Sequence, residues 1–291
     1  MHRRDLIKAS LLGAAALTLR PRFAMAADAA GADAIAGELA GLERRHGGRL
    51  GVAMLDTSSG QRAGHRAGER FLLCSTGKLP VVGAVLARVD RGVERLDRRV
   101  VFGPDAILGW APITRQHVGA PGMTVAGLCH AALTVSDNTA MNLLLETVGG
   151  PAAATRFVRS LGDDVTRLDR HEPELNVPDG DLDTTTPEAM LASMRRLLLG
   201  DVLSASSRAQ LIDWLRHNTT GATQLRAGMP TDWKVGDKTG SGHTQTNDVA
   251  IAWPPGRKPL LVTAYYEGPA DQGDMRKAAL AHVGKLAARM R

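Results

Sequence analysis

Runs of strand type stand near both ends of this 291-residue chain, and helical segments fill the stretch between them. Alternation and β-branched content, with Gly, Pro or Ser at the boundaries, predict strands over residues 49–56, 62–66, 233–239, 246–253 and 259–266. The spacing of apolar residues and of breakers predicts helices over residues 29–45, 79–89, 125–132, 139–148, 152–161, 187–199, 206–215 and 274–291.

This order of elements limits how the chain can fold. The terminal strands pair most economically into one sheet, so residues 27–70 and 215–291 are predicted to form one α/β domain. Residues 71–214 are then an inserted all-α domain, and the crevice between two domains is the usual place for a ligand site. Pro80 lies inside a predicted helix, where proline is normally disfavoured. It removes a backbone hydrogen bond there and should loosen the first turns.

The first 26 residues predict an export signal. Arg3-Arg4 resembles a twin-arginine signal, an apolar run over 9–19 follows, and Ala24-Met25-Ala26 is a small-x-small cleavage site. Without residues 1–26 the formal charge falls from +6 to +2, with 31 basic and 29 acidic side chains, so a nucleic-acid partner loses its main support. Since no later apolar stretch is long enough to span a bilayer, we expect a soluble periplasmic protein without stable membrane association.

The segment Cys74-Ser75-Thr76-Gly77-Lys78 offers a nucleophile and a base just before a predicted helix. If Ser75 opens that helix, Lys78 lies one turn on and shares its face. A serine hydroxyl needs a base to take its proton, and a lysine that is desolvated or near another cation can be that base. Alone, the pattern is more typical of an N-capping serine and a solvated lysine.

Ser136-Asp137-Asn138 is a second polar motif, placed between two predicted helices. Three short polar residues at such a position most often form a turn or an N-cap. Functionally, Ser136 can relay a proton, and Asn138 can present its amide to a substrate.

Lys238-Thr239-Gly240-Ser241-Gly242 closes a predicted strand and also fits a hairpin turn. Lys238, Thr239 and Ser241 can hold a carboxylate through charge and hydroxyl groups. The backbone N–H groups of Ser241 and Ser75 can together form an oxyanion hole.

A polar stretch from Arg170 to Asp183 is rich in Pro, Gly and Asp, and is too polar for a core element. A loop of this size is often functional. Arg170 and Asp183 can close its ends as an ion pair. Glu172 with Asn176 can hold and activate a water molecule, although an ordinary solvated loop is an equal alternative for this stretch alone.

The four motifs, Ser-x-x-Lys, Ser-Asp-Asn, Glu-x-x-x-Asn and Lys-Thr-Gly, follow one another in an order that resembles the class A serine β-lactamases. The resemblance covers essentially the whole mature chain, and Ser241-Gly242 is similar to the extended-spectrum cephalosporinases. It implies a two-domain β-lactamase/transpeptidase-like fold of the α/β (α+β) type. In that fold an antiparallel sheet is flanked by terminal helices, and an all-α domain is inserted.

The resemblance also implies residue roles in the hydrolysis of penicillins and cephalosporins. Ser75 would attack the lactam carbonyl and form an acyl-enzyme, with either Lys78 or Glu172, through a water, taking its proton. Ser136 would pass a proton to the leaving nitrogen, and Glu172 with Asn176 would activate the water that hydrolyses the ester. The implied substrate-binding residues are Asn138, Asn176, Lys238, Thr239, Ser241 and the rim residue Trp110.

The chain departs from the family pattern in several places. The loop between Asn176 and Asp183 is about two residues shorter than in close relatives, which affects access for bulky substrates. Cys74 would face Gly242 and Cys129 would face Val82, so neither family disulfide is expected. The cation that the last helix often contributes is either Arg276 or Lys277.

Two alternatives share this site. A DD-peptidase or penicillin-binding protein would acylate Ser75 but release slowly, and Glu172 with Asn176 argues against it. A non-hydrolysing β-lactam sensor is usually tethered to a membrane, and this chain shows no span after its signal. The nine His residues show no ligand spacing and there is no Cys cluster, so we expect no metal and no cofactor. By resemblance the protein is expected to be a monomer.

Overall fold

The computed structural model describes residues 20–290, with side chains from Gly31 onward. The twin-arginine motif and the apolar run of the predicted export signal lie outside the described residues. The predicted cleavage site Ala24-Met25-Ala26 lies within helix α1, which spans Arg20–His46. Among the described residues, no helix is long and apolar enough to cross a membrane.

Helices and strands follow the predicted order along the described chain. The α-helices are α1 (Arg20–His46), α2 (Lys78–Asp90), α3 (Val125–Thr134), α4 (Asn138–Val148), α5 (Pro151–Ser160), α6 (Pro187–Leu199), α7 (Ala205–Arg216), α8 (Leu225–Gly228) and α9 (Gly273–Ala287). The strands are β1 (Arg49–Asp56), β2 (Arg62–His65), β3 (Phe71–Leu72), β4 (Arg99–Val100), β5 (Met123–Thr124), β6 (Thr184–Thr185), β7 (Lys234–Ser241), β8 (Gln245–Trp253) and β9 (Leu260–Glu267).

Five strands form one antiparallel sheet in the order β2-β1-β9-β8-β7. The sheet therefore combines strands from both ends of the chain, and the helical part enters between β2 and β7. The predicted α/β fold class is confirmed. Strand β7 lies at one edge of the sheet, where its outer side is free to meet the helical part and a ligand.

The two faces of the sheet carry two different cores, because successive side chains of a strand point to opposite faces. In β1, Leu50, Val52 and Met54 pack with the apolar side chains of α1 and α9. The alternate residues Ala53 and Leu55 pack with the core of the helical part.

The helical part contains elements that the sequence pattern did not indicate. Two short antiparallel pairs, β3 with β6 and β4 with β5, lie within it. Strands of two residues are too short to show an alternating period, so the pattern could not reveal them. Helix α7 also runs through the predicted domain boundary at residue 215.

The start of α2 agrees with the predicted helix over 79–89 to within one residue, so Ser75 lies before the helix and does not open it. Residues Cys74–Gly77 form a 3-10 turn, and α2 begins only at Lys78. Pro80 is consequently the third residue of α2, where a backbone N–H has no partner within the helix. The proline removes no hydrogen bond of α2, which explains why the helix continues regularly to Asp90.

Candidate active site

Ser75 lies in the 3-10 turn between strand β3 and helix α2. Its neighbour Cys74 has φ +46, a conformation that is uncommon for a residue with a side chain. The turn is fixed from within, because the Thr76 hydroxyl donates to the Leu73 carbonyl at 2.7 Å. In a 3-10 turn residues three apart eclipse each other, and the Lys78 Nζ donates to the Ser75 Oγ at 2.7 Å.

The Lys78 ammonium group is the centre of the site. Its side chain is fully buried, and Nζ is within hydrogen-bond distance of five oxygens. These are the Ser75 Oγ (2.7 Å), the Asn138 Oδ1 (2.7 Å), the Glu172 Oε1 (2.9 Å), and the Ser136 O (3.1 Å) and Oγ (3.2 Å).

Five acceptors exceed what one ammonium group can serve, since it has three N–H donors. At least two of these contacts therefore receive no proton from Lys78, and the serine hydroxyl groups can turn to donate instead. Burial lowers the pKa of Lys78, and the negative charge of Glu172 opposes that shift. A lysine in this position can reach its neutral form and accept the proton of Ser75.

Glu172 is held on the opposite side of Lys78 by contacts from its own loop and from α4. The Asn142 side chain binds the Glu172 backbone twice, accepting from its N–H and donating to its carbonyl, each at 2.9 Å. The Asn176 Nδ2 donates to the Glu172 Oε2 at 2.5 Å. The Asn176 Oδ1 is buried without a hydrogen-bond partner among the described residues, so it is available to accept from a water molecule.

The loop that carries Glu172 is closed by the predicted ion pair. The Arg170 Nε donates to the Asp183 Oδ2 at 2.6 Å, and the other oxygen of Asp183 accepts from the Asp169 and Arg170 backbone N–H groups. The peptide bond between Glu172 and Pro173 is cis. The loop is thus a tied segment and not an ordinary solvated one.

The second motif places Ser136 and Asn138 between α3 and α4. Ser136 has φ +58, and its Oγ accepts from both the Lys78 Nζ at 3.2 Å and the Lys238 Nζ at 3.1 Å. Asp137 caps α4 through the Ala140 N–H, as the structural interpretation of this motif predicts. Ser136 therefore connects the two buried amines, and the motif serves both as a cap and as part of the site.

The third motif lies on the edge strand β7. Lys238 is fully buried, and its Nζ donates to the Thr239 carbonyl at 2.8 Å. Burial, together with the positive charge of Lys78, lowers the pKa of Lys238 to about 7. Gly240 permits close approach, because a Cβ there would lie 3.2 Å from the Ser75 N.

A cavity of about 350 Å³ collects the predicted residues. Seven of them line it: Ser75, Trp110, Ser136, Asn138, Asn176, Thr239 and Ser241. The three charged ones, Lys78, Glu172 and Lys238, are buried directly behind it and reach it through the hydrogen bonds given above. A larger cleft of about 850 Å³ beside α7 holds none of these residues, so the smaller cavity is the candidate site.

Three further residues line the cavity: Thr220, Gln224 and Lys277. The sequence analysis named Lys277 as one of two candidate cations, and it did not name the other two. The choice between Arg276 and Lys277 now favours the lysine, because Arg276 is only 4% exposed and its Nε donates to the Thr246 Oγ1 at 3.0 Å. Thr220 and Gln224 lie in the segment between α7 and β7, where no local pattern indicates a site.

Both cysteines are buried and free, as expected. A Cβ on Gly242 would lie 3.4 Å from the Cys74 Sγ, so this glycine does face Cys74. Burial raises the pKa of both thiols, which keeps them protonated. Among the described residues no group of three or more His, Cys, Asp or Glu side chains is arranged to hold a metal ion.

The fold and the site together are those of a serine hydrolase, with a candidate nucleophile in contact with a buried lysine. A model of the beta-lactamase enzyme family matches residues 34–290. The chain is 49% identical over 257 residues to beta-lactamase L2 of Stenotrophomonas maltophilia, with 87% of this chain and 84% of that protein covered. It is 46% identical over 252 residues to beta-lactamase CTX-M-8 of Citrobacter amalonaticus, with 86% of each covered.

A solved structure shows the same likeness in three dimensions. An ancestral (GNCA) class A beta-lactamase superposes with a TM-score of 0.86 at 57% identity, covering 88% of this chain and all of that one. The chain belongs to the beta-lactamase enzyme family. Within it the protein is a class A serine enzyme, a hydrolase that acts on β-lactams.

Proposed function

We propose that the protein opens the lactam ring of penicillins and cephalosporins by forming and then hydrolysing an ester on Ser75. The Ser75 Oγ attacks the lactam carbonyl carbon, and its proton passes to neutral Lys78 or, through a water, to Glu172. Either base is supported by the short contacts that join Ser75, Lys78 and Glu172. The backbone N–H groups of Ser75 and Ser241 stabilise the oxyanion that develops.

The lactam nitrogen leaves with a proton that Ser136 supplies. This role is supported by the position of the Ser136 Oγ between the amines of Lys78 and Lys238, which can return the proton to it. The C–N bond breaks as the nitrogen is protonated, and the substrate stays bound to Ser75 as an ester.

Water then cleaves the ester, and Glu172 acts as the general base. The observation that carries this step is the buried, unpartnered Asn176 Oδ1 beside the Glu172 carboxylate. Together they offer two acceptors to one water molecule, which orients its lone pair towards the ester. A DD-peptidase or a sensor need not activate water against a β-lactam ester, so this feature favours hydrolysis.

Substrate binding follows from the remaining residues of the cavity. Lys238, Thr239 and Ser241 hold the ring carboxylate, and Lys277 adds a second cation on that side. Asn138 contacts the amide of the acyl side chain. Trp110, which is 59% exposed, forms the rim.

The surroundings of the enzyme are part of the same proposal. The protein is exported through a twin-arginine signal and works in the periplasm as a soluble monomer, without nucleic acid, metal or cofactor. The division into a domain of residues 27–70 and 215–291 and an inserted domain of residues 71–214 is supported by the order of elements along the chain.

The test mixes purified residues 27–291 with a chromogenic cephalosporin and follows absorbance well past one equivalent. Continued turnover is expected, and Ser75→Ala should abolish both turnover and covalent labelling by penicillin. A burst of one equivalent that then stops would identify an acylating peptidase or sensor instead. Labelling that persists in the Ser75→Ala variant would overturn the assignment of the nucleophile.

A further inference from the structure

Gln224 presents an unsatisfied polar group to the active-site cavity. The residue is only 3% exposed, it lines the cavity, and its Oε1 is buried without a hydrogen-bond partner among the described residues. Buried acceptors are nearly always paired, because an unpaired one loses the hydration that it had in the unfolded chain. A group of this kind inside a binding cavity calls for a partner on the ligand.

The backbone around Gln224 is tied to the sheet on both sides. The Leu225 N–H donates to the Asp248 Oδ2 at 3.1 Å, and the Arg226 Nε donates to the Asp237 Oδ1 at 3.0 Å. On the N-terminal side the Asn218 Nδ2 donates to the Asp237 Oδ2 at 2.5 Å. These bonds fix residues on both sides of Gln224, so the backbone of this loop is held in place against the sheet.

The loop backbone around Gln224 also lies very close to its neighbours at two glycines, which limits how far the loop can move. A Cβ on Gly221 would lie 1.8 Å from the Asp237 Oδ2, and one on Gly228 would lie 1.8 Å from the Ala281 carbonyl. The segment therefore has no room to shift against either the sheet or α9. The backbone that carries Gln224 is therefore held beside the cavity by its surroundings, and its side chain starts from a fixed position, as expected of a binding group.

The location of Gln224 within the cavity indicates which part of a substrate it meets. The nearby Thr220 hydroxyl is hydrogen-bonded to the Thr239 hydroxyl, and Thr239 belongs to the proposed carboxylate site. Lys277 lines the same cavity. A carboxylate has only acceptor oxygens, so it cannot satisfy the Gln224 Oε1. That oxygen needs an N–H or O–H group on a part of the substrate next to the carboxylate.

We propose that Gln224 is a specificity-determining residue that favours β-lactams with a hydrogen-bond donor on the substituent beside the ring carboxylate. In a cephalosporin this is the substituent at C3, and the favoured donors are a hydroxyl, an amide or carbamate N–H, or an ammonium group. This inference rests on the proposed function. It adds a substrate preference that the catalytic residues do not require.

The test uses two cephalosporins with the same C7 side chain, one with hydroxymethyl and one with methyl at C3. The wild-type enzyme should favour the hydroxymethyl compound about tenfold in kcat/KM, which corresponds to about 1.4 kcal/mol. Gln224→Met keeps the size of the side chain without the acceptor, and should bring the preference within about twofold. Gln116→Met is the matched control, because Gln116 is exposed, lies outside the residues that line the cavity, and donates from its amide to the Pro112 carbonyl at 2.8 Å.

Gln224→Glu separates recognition from folding. It keeps an acceptor of the same size, so the hydroxymethyl preference should persist, while its charge should raise KM for both anionic substrates. Equal kcat/KM values for the two compounds in the wild-type enzyme, or an unchanged preference in Gln224→Met, would refute the proposal. Failure of the wild-type enzyme to turn over either compound would instead refute the proposed function.

Discussion

Replacing Glu172 by Gln should trap the acyl-enzyme. The glutamine keeps an oxygen that can accept from the Asn176 Nδ2, so the loop should keep its shape. It loses the ability to take a proton from water, and loss of a general base typically slows a step by about 10²–10⁴-fold. Hydrolysis of the ester should slow by that factor, so one equivalent of substrate accumulates on Ser75.

The same substitution should also change the protonation state of Lys78. Lys78 and Glu172 form a fully buried ion pair at 2.9 Å, and removing one partner of such a pair costs about 3–5 kcal/mol if the other stays charged. Release of the Lys78 proton avoids most of this cost, because each pKa unit corresponds to about 1.4 kcal/mol. Lys78 should therefore be neutral in the variant, and acylation through it should continue.

The assay is mass spectrometry of the quenched reaction, combined with stopped-flow absorbance. A mass increase of one opened substrate on Ser75 and a burst of one equivalent are expected. Glu174→Gln is the matched control, because Glu174 is an exposed carboxylate in the same turn and should leave turnover unchanged. Wild-type turnover in Glu172→Gln would remove Glu172 from the mechanism. Absence of both burst and adduct would show that Glu172, and not Lys78, is the acylation base.

Three other predictions concern the proposed anion site, the nucleophile turn and metals. The pKa of Lys238 is lowered to about 7, so its ammonium form is present below that pH and lost above it. For this reason kcat/KM for a carboxylate substrate should fall as pH rises through about 7. Lys238→Arg should remove that fall, since arginine stays charged, and identical profiles for the two enzymes up to pH 9 would contradict the reasoning. Gly240→Ala should lower the acylation rate about 10–100-fold, because the added Cβ displaces the Ser75 N–H that contributes to the oxyanion hole. A small change in melting temperature would show that the fold survives. An unaltered acylation rate would argue against this contact. EDTA should leave activity unchanged, and a loss that zinc restores would refute the metal-free mechanism.

The strands of the main sheet and the longer helices were predictable from sequence, because each is long enough to repeat its apolar pattern several times and each has a buried face. Helix α6, for example, has the predicted bounds of Pro187–Leu199, and β1 has those of Arg49–Asp56. Whether Ser75 belongs to the first turn of α2 was not predictable, because a 3-10 turn and an α-helical turn differ only in whether the hydrogen bond spans three residues or four, and they share the same residue types.

The structure brings the residues that the motifs mark together at one cavity, and it adds residues that only tertiary contact places there. Asn142 fixes the Glu172 backbone from a distance of 30 residues along the chain, and Gln224 reaches the cavity only because the loop before β7 folds back on the sheet. No local sequence pattern indicates either contact. The choice of Lys277 over Arg276 likewise depends on how α9 is rotated against β8, which neither residue type reveals.

The buried polar atoms of the site fall into two groups, and the difference separates what holds the fold from what meets a ligand. Asp137 accepts from the Thr114 N–H at 2.9 Å, and Asp183 and Asp237 are similarly occupied by donors from neighbouring segments. None of the three lines the cavity. The Asn176 Oδ1 and the Gln224 Oε1 are equally buried, belong to residues that line the cavity, and have no partner among the described residues. Because burial penalises an unpaired acceptor more than a paired one, the aspartates tie neighbouring segments together in the free enzyme, while the two amide oxygens gain a partner only when water or substrate is bound.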